Sequence, residues 1–341
     1  MARTPTLIAA ALLCLGAGTF APAFAQPPPS DARRYLSTVR ESPDLQRLLD
    51  DTFADLSKRD AALRRTDVRL AVLELDGDGP PRLAQRNGHD RVYPASVVKF
   101  VYLMAAYAFR DQGRLAFDAA LDDELHDMIF QSSNAATQKV FARVTVTEPG
   151  PELAPAAYAD FKDRRLSVKR WLQELGIDEL HCVNPTYDGG GDISPRDRQF
   201  LRDGSLEGAL PSESDGFRNR QAMTAVDTAE LLALLATDRA LSPASSADVR
   251  RRMTRKVALQ PHLALRIAGG AERVGGGFTV VAKTGTWGPI FADAGIVRAS
   301  DGRALVIAAF LESVPGYRGS FIADLTERLV RARLVDDAKK P

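Results

Sequence analysis

The spacing of apolar positions divides the chain into strand-like ends and a helical middle. Over residues 31–65, Tyr35, Leu45, Leu48, Leu49, Phe53 and Leu56 recur among charged positions at the interval of an amphipathic helix. Residues 68–75, V-R-L-A-V-L-E-L, alternate like a half-buried strand. The D-G-D-G-P-P run after them is a turn, and 82–87 reads as the returning strand of a hairpin. An unbroken apolar run then predicts a buried helix over 96–109. No strand is expected in 111–220. Residues 121–130 and 134–144 carry helical spacing, a loop with several prolines follows, and a further helix is expected at 167–175. Residues 181–220, rich in Gly, Asp, Pro and Arg, read as long loop. Helices return at 226–236 and 244–253. Strand-like runs occupy 278–283, 292–297 and 304–311, and an amphipathic helix closes the chain at 321–334.

Strands at both ends with helices between them predict an α+β fold. One antiparallel sheet, drawn from both ends of the chain, would be covered by helices as a three-layer α/β/α arrangement, with an all-α lobe inserted between its strands. The expected division is an α/β lobe from 35–95 and 221–335, and an all-α lobe over 96–220 that includes the 178–220 loop. A cleft between two lobes is the default place for a ligand. There is no internal repeat.

Composition changes this picture in three places. Arg3, the apolar stretch 7–17 and Ala23-Phe24-Ala25 have the order of a secretory signal peptide cleaved after Ala25, which predicts a periplasmic or secreted protein. The stretch is too short for a stable membrane span, no later stretch is long enough for one, and 26–34 is expected to be a flexible lead-in. The 45 Lys and Arg residues face 44 Asp and Glu, and loss of Arg3 would balance them. Such a surface offers no footprint for nucleic acid or anionic membrane. Removal of Cys14 with the leader leaves Cys182 as the sole cysteine, so no internal disulfide forms and the core must carry stability. Cys182 itself reads as a small buried hydrophobe. A monomer is expected.

The candidate chemistry starts at Ser96 and Lys99, in Y-P-A-S-V-V-K-F. Residues three apart on a helix share a face. A serine hydroxyl becomes a useful nucleophile when a neighbouring base takes its proton, and a lysine serves as that base once burial depresses its pKa. The plainer alternative is a helix cap at Ser96 and a solvated Lys99. In Q-S-S-N, Ser132 and Asn134 offer a hydroxyl and an amide, against the plainer reading of a helix N-cap. In V-A-K-T-G-T-W, Lys283, Thr284, Gly285 and Thr286 lie at the end of an expected strand, where glycine permits close backbone approach. The plainer reading there is an exposed lysine before a turn.

The order S-x-x-K, S-x-N, K-T-G resembles that of class A serine β-lactamases and penicillin-binding proteins, and the match spans roughly 35–335. The resemblance implies a β-lactamase/transpeptidase-like fold. It also implies the roles of the site residues: Ser96 is acylated, Lys99 is its base or relay, and Ser132 returns a proton to the leaving nitrogen. Asn134 binds the substrate's side-chain amide, and Lys283, Thr284, Gly285 and Thr286 bind its carboxylate side. The N–H groups of Ser96 and Thr286 form the oxyanion hole. Neither metal nor organic cofactor is implied. The substrate would be a small β-lactam or a peptidoglycan-derived molecule.

Three departures stand out. The E-x-x-L-N loop that carries the family's deacylating glutamate is absent, leaving Glu179, Asp188 and Asp192 as substitutes, with Asn184 and Tyr187 nearby. The gap from Ser96 to Ser132 is short for class A, and Ser133 replaces the middle residue of S-D-N. Alongside a β-lactamase, the sequence therefore leaves open a D,D-peptidase-like or penicillin-binding hydrolase with slow deacylation, and a non-catalytic binder of β-lactam or peptidoglycan fragments. Other hydrolase signatures are missing: there is no G-x-S-x-G, H-x-x-x-H or C-x-x-C, and His89, His126, His181 and His262 are scattered singly.

Overall fold

The strand-like runs from the two ends of the chain meet in one sheet. A computed structural model describes residues 27–77, 79–212, 214–275 and 277–335, so the expected leader and its cleavage site lie outside the described residues. The elements before the nucleophile motif are α1 (Pro29–Leu36), β1 (Arg40–Glu41), α2 (Pro43–Arg59), β2 (Asp67–Leu75) and β3 (Arg82–Arg86). The middle of the chain forms α3 (Lys99–Asp111), α4 (Ala119–His126), α5 (Asn134–Thr145), α6 (Pro155–Arg165), α7 (Ser167–Glu174), α8 (Pro195–Arg202), α9 (Ala225–Ala236), α10 (Pro243–Met253) and α11 (Ile267–Val274). Strands β4 (Thr279–Trp287), β5 (Ile290–Arg298) and β6 (Ala304–Glu312) and helix α12 (Phe321–Arg333) close it.

The sheet order is β1-β3-β2-β6-β5-β4. Every pairing is antiparallel except the two-residue β1–β3 contact. The expected α+β architecture, an antiparallel sheet built from both chain ends between helical layers, is the one observed. One face packs Ala71, Leu73, Val306 and Ala308 against α3, α9 and α10. The other packs Leu70, Val72, Ile307 and Ala309 against α2, α11 and α12. Strand β2 is therefore covered on both faces, and the half-buried alternation expected of it is corrected to a nearly continuous buried run.

Helices α3 and α9 are apolar around almost their whole circumference, and both are enclosed. Phe100 to Phe109 is buried without a break. Each large side chain there stabilises the fold by roughly 1.5–3 kcal/mol, enough to hold one costly group, Lys99, at the head of the same helix.

Several expected boundaries shift. The 31–65 period is two helices separated by β1, and the flexible lead-in expected over 26–34 is corrected by α1. Proline begins that helix at a position that needs no N–H. Arg33 then ties it to α7 through the carbonyls of Gln173 and Glu174. The proline-rich loop ends in α6, which Pro155 opens. The long loop contains α8, capped by Ser194. The run Ala268-Gly269-Gly270-Ala271 lies in α11, and its two glycines are required by close approach: a Cβ would meet the Ala264 backbone at Gly269 and that of Ala323 on α12 at Gly270. No helix among the described residues is long and apolar enough to cross a membrane. Cys182 is buried, and burial holds its thiol well above the ordinary value.

The 178–220 segment is moored from two sides. Arg165 and Asp197 form an ion pair of 2.7 Å in which both side chains are almost wholly buried. The guanidinium also lies 4.9 Å from the ring centre of Phe141 and 5.4 Å from that of Phe200. Nearer the sheet, Tyr102 on α3 donates its hydroxyl to the Asn184 carbonyl and accepts from Gln221 at 3.0 Å. Removing one partner of a buried pair leaves an uncompensated charge. Asp197→Ala should therefore lower the unfolding free energy by about 3–5 kcal/mol in urea titrations; a loss below about 1 kcal/mol would mean that the pair does not anchor the segment.

Candidate active site

Ser96 lies on a single 3-10 turn, Ala95–Val98, that leads directly into α3. Ala95 before it has φ +48°, a left-handed conformation that a residue with a Cβ seldom adopts. Such conformations persist where the surroundings over-determine them. Strand β4 supplies that constraint. A Cβ on Gly285 would lie 2.8 Å from the Pro94 carbonyl and 3.1 Å from the Val97 nitrogen, so only glycine lets the strand pass this close to the serine turn.

The plainer readings of the three motifs do not describe this geometry. Ser96 makes no side-chain cap, and Lys99 is fully buried rather than solvated. Lys99 Nζ donates to the Ser132 carbonyl at 2.5 Å and to Asn134 Oδ1 at 2.7 Å, with Ser132 Oγ at 3.4 Å. Burial pushes its pKa down to about 7, partly opposed by the charge of Asp188. At the start of α5 the capping task falls to Ser133, whose Oγ accepts from the Ala136 N–H. Ser132 is thereby freed and turns inward from a left-handed backbone, φ +58°, at the end of a π-helical turn over Asp127–Gln131. Lys283 is likewise buried. It sits in mid-strand, because β4 runs on through T-G-T-W instead of turning after the lysine.

Lys283 Nζ donates to Ser132 Oγ at 2.9 Å and to the Thr284 carbonyl at 2.8 Å. Its pKa is held well below the ordinary lysine value by burial first, then by the charges of Lys99 and Arg255, against which Asp293 pulls it up. The Ser132 hydroxyl thus stands between two amines, an arrangement able to pass a proton between them.

The free edge of β4 presents main-chain groups to the site. The Val280 carbonyl accepts from Arg255 N, away from β5, and the Thr284 carbonyl accepts from Lys283 Nζ. Main-chain groups alternate sides along a strand. The N–H of Thr286 therefore points off the same edge, toward the serine turn.

Several groups around the motifs were not singled out from sequence. Buried Arg266 donates to Thr286 Oγ1 at 2.6 Å and to the Ala292 carbonyl at 2.7 Å. This leaves the Thr286 hydroxyl proton free to donate. Buried Arg255 donates to the Ile129 carbonyl at 2.9 Å. Burial lowers both guanidinium pKa values to about 10. Asp293, on β5, accepts from the Ile267 N–H at 2.9 Å, and burial raises its pKa. Two buried arginines against one buried carboxylate make the site attractive to anions. No sequence signal marks these residues, because their burial arises from packing between distant segments.

Of the three loop carboxylates, Asp188 alone reaches the cluster. Its Oδ1 accepts from Asn134 Nδ2 at 2.7 Å. Asp192 accepts from the Asp188 backbone N–H, and Glu179 is paired with Arg91 at 2.5 Å. Asn134 is engaged throughout: Oδ1 also accepts from Thr186 Oγ1, and Nδ2 also donates to the Tyr187 carbonyl. Asn184 belongs to the mooring of the loop rather than to the cluster.

A serine on a short helical turn, two desolvated lysines and a shared hydroxyl thus meet at the free edge of an antiparallel sheet. Residues 119–333 match the Beta-lactamase enzyme family, and the chain belongs to it. Its fold is shared by a β-lactamase from Sphaerobacter thermophilus, 20% identical, covering 84% of this chain and 98% of that one with a TM-score of 0.57. It is shared too by a mutant of PBP-A solved as an acyl-enzyme complex with penicillin G, 19% identical, covering 86% and 97% with a TM-score of 0.55. An ancestral class A β-lactamase is 20% identical, covering 83% and 99% with a TM-score of 0.54. At these identities the likeness concerns the fold. No curated protein sequence matches the chain.

Proposed function

We propose that the protein is a serine hydrolase that opens the β-lactam amide through an acyl-enzyme on Ser96. The observation that carries this reading is the buried Lys99–Ser132–Lys283 cluster behind the serine turn. Lys99, neutral once the pH exceeds about 7, takes the Ser96 proton directly or through a water as Oγ attacks the carbonyl. The Ser96 and Thr286 N–H groups receive the oxyanion; a donor of this kind is worth about 2.7–4 kcal/mol. Ser132 then passes a proton to the departing nitrogen and is resupplied from the lysines. The positive surroundings of Thr286, with Arg266 behind it, favour substrates that carry a carboxylate. Export to the periplasm or medium is proposed from the leader.

A second reading, a penicillin-binding protein that releases its ester slowly, is favoured by one observation. Among the described residues of the loop, the carboxylate that reaches the cluster, Asp188, is solvent-exposed and already accepts from Asn134. The two readings differ in the lifetime of the ester, and a non-catalytic binder forms none.

Intact mass after brief penicillin exposure tests the serine. Wild type should gain one acyl group and Ser96→Ala none; labelling of the variant would move the nucleophile elsewhere. The pH dependence follows from the sign of the Lys99 shift. Its pKa is depressed, so the active neutral amine is present above about pH 7, and the acylation rate should fall about tenfold per unit below it. A flat stopped-flow profile from pH 5.5 to 8 would remove Lys99 as the base. Asp188→Asn should acylate normally and lengthen the ester lifetime by about 10²–10⁴-fold if this carboxylate activates the hydrolytic water. An unchanged lifetime would assign deacylation to another group.

A further inference from the structure

Beside the serine turn lies an open cavity of about 320 Å³ that the reaction above does not use. Tyr93, three residues before Ser96, and Trp287, next after Thr286, form two of its walls, and Tyr187 and Phe217 form others. The Tyr93 and Trp287 rings meet edge to face at 5.3 Å between centres. Arg220 lies against both, its guanidinium carbon 4.7 Å from the Tyr93 ring centre and 5.5 Å from that of Trp287. Trp287 is 51% exposed, an unusual outlay of aromatic surface in a chain whose other tryptophan is buried.

Stacking occupies the faces of a guanidinium and leaves N–H groups at its edge, the fork that fits a carboxylate. The charge of Arg220 acts on the Tyr93 phenol, whose pKa burial raises. No ion pair joins it to a carboxylate among the described residues. The other charged groups on the walls are Arg198, which donates to the Gly190 carbonyl, and Asp215, whose Oδ1 accepts from the Phe217 N–H. Two guanidiniums and one carboxylate leave the cavity positive, and its aromatic walls suit a flat apolar body.

We propose that this cavity is a specificity subsite for a substrate substituent that joins a planar apolar group to a negative charge, with Tyr93 and Trp287 holding the ring and Arg220 the anion. The proposal deepens the serine-hydrolase reading and rests on it for the identity of the substrate. The binding itself does not need the reaction.

Two arms test it. In the first, phenylmalonic acid monoamide and phenylacetamide, which differ by one carboxylate, are titrated against the intact protein while Trp287 fluorescence is followed, with buried Trp171 as the constant background. The anionic amide should bind at least about tenfold more tightly, and Arg220→Gln should erase the difference. Equal binding of the two amides, or an equal effect of the variant on both, overturns the proposal. In the second arm, kcat/KM is compared for benzylpenicillin and its α-carboxylated counterpart. The carboxylated compound should be preferred about tenfold, and the ratio, taken within each variant, should collapse in Arg220→Gln and shrink in Arg220→Lys. The ratio is unaffected by any loss of folded protein. Selective amide binding with no acylation by either penicillin would uphold the subsite and sink the serine chemistry. Acylation by both penicillins without selectivity would do the reverse.

Discussion

The site depends on the cost of keeping an amine out of water. Lys99 begins a helix whose next ten residues are buried, so its head group cannot reach solvent. The charged form is disfavoured, and the pKa falls to about 7. The Ser132 carbonyl and Asn134 Oδ1 offset part of that cost and fix where the nitrogen stands. Lys283, buried on the neighbouring strand, has its own pKa lowered by burial and then by the charge of Lys99. The base is thus made by the core: the packing that stabilises α3 is also what makes its first residue basic at neutral pH.

That constraint explains the local irregularities. The left-handed Ala95 turns the serine out of the helix, and Gly285 lets the strand edge come beside it. The π-helical turn and left-handed Ser132 deliver a hydroxyl to the two amines while Ser133 takes over the cap. Each departs from regular structure where it helps one amine or hydroxyl reach its partner, as expected where strain is held at a functional site.

Much of this was legible in the sequence, for identifiable reasons. Strands β2, β5 and β6 and helices α3 and α9 announce themselves because they are buried nearly all round. The elements missed were those with weak local signals: α6 after its prolines, α8 in a charged stretch, and α11 with two glycines that close contacts with the Ala264 backbone and with α12 explain. The three motifs were readable as an ordered set. The sequence could not tell Asp188 from Glu179, because the distinction rests on Arg91, far off in the chain, claiming Glu179. Arg255, Arg266 and Asp293 were invisible for the same reason. Tyr93 and Trp287 were within reach: each flanks a motif, and motifs that converge bring their flanks together.

The mooring of the 178–220 segment has a consequence for how such a protein changes over generations. Its ends are fastened by Arg165–Asp197 and by Tyr102, which stands one helical turn from Lys99. The stretch around Asp188 between those fastenings is solvent-facing. On the proposed acyl-enzyme reading, substitutions there would alter how long the adduct survives without loosening the scaffold that forms it. A lineage could drift between trap and turnover catalyst by editing a few exposed positions.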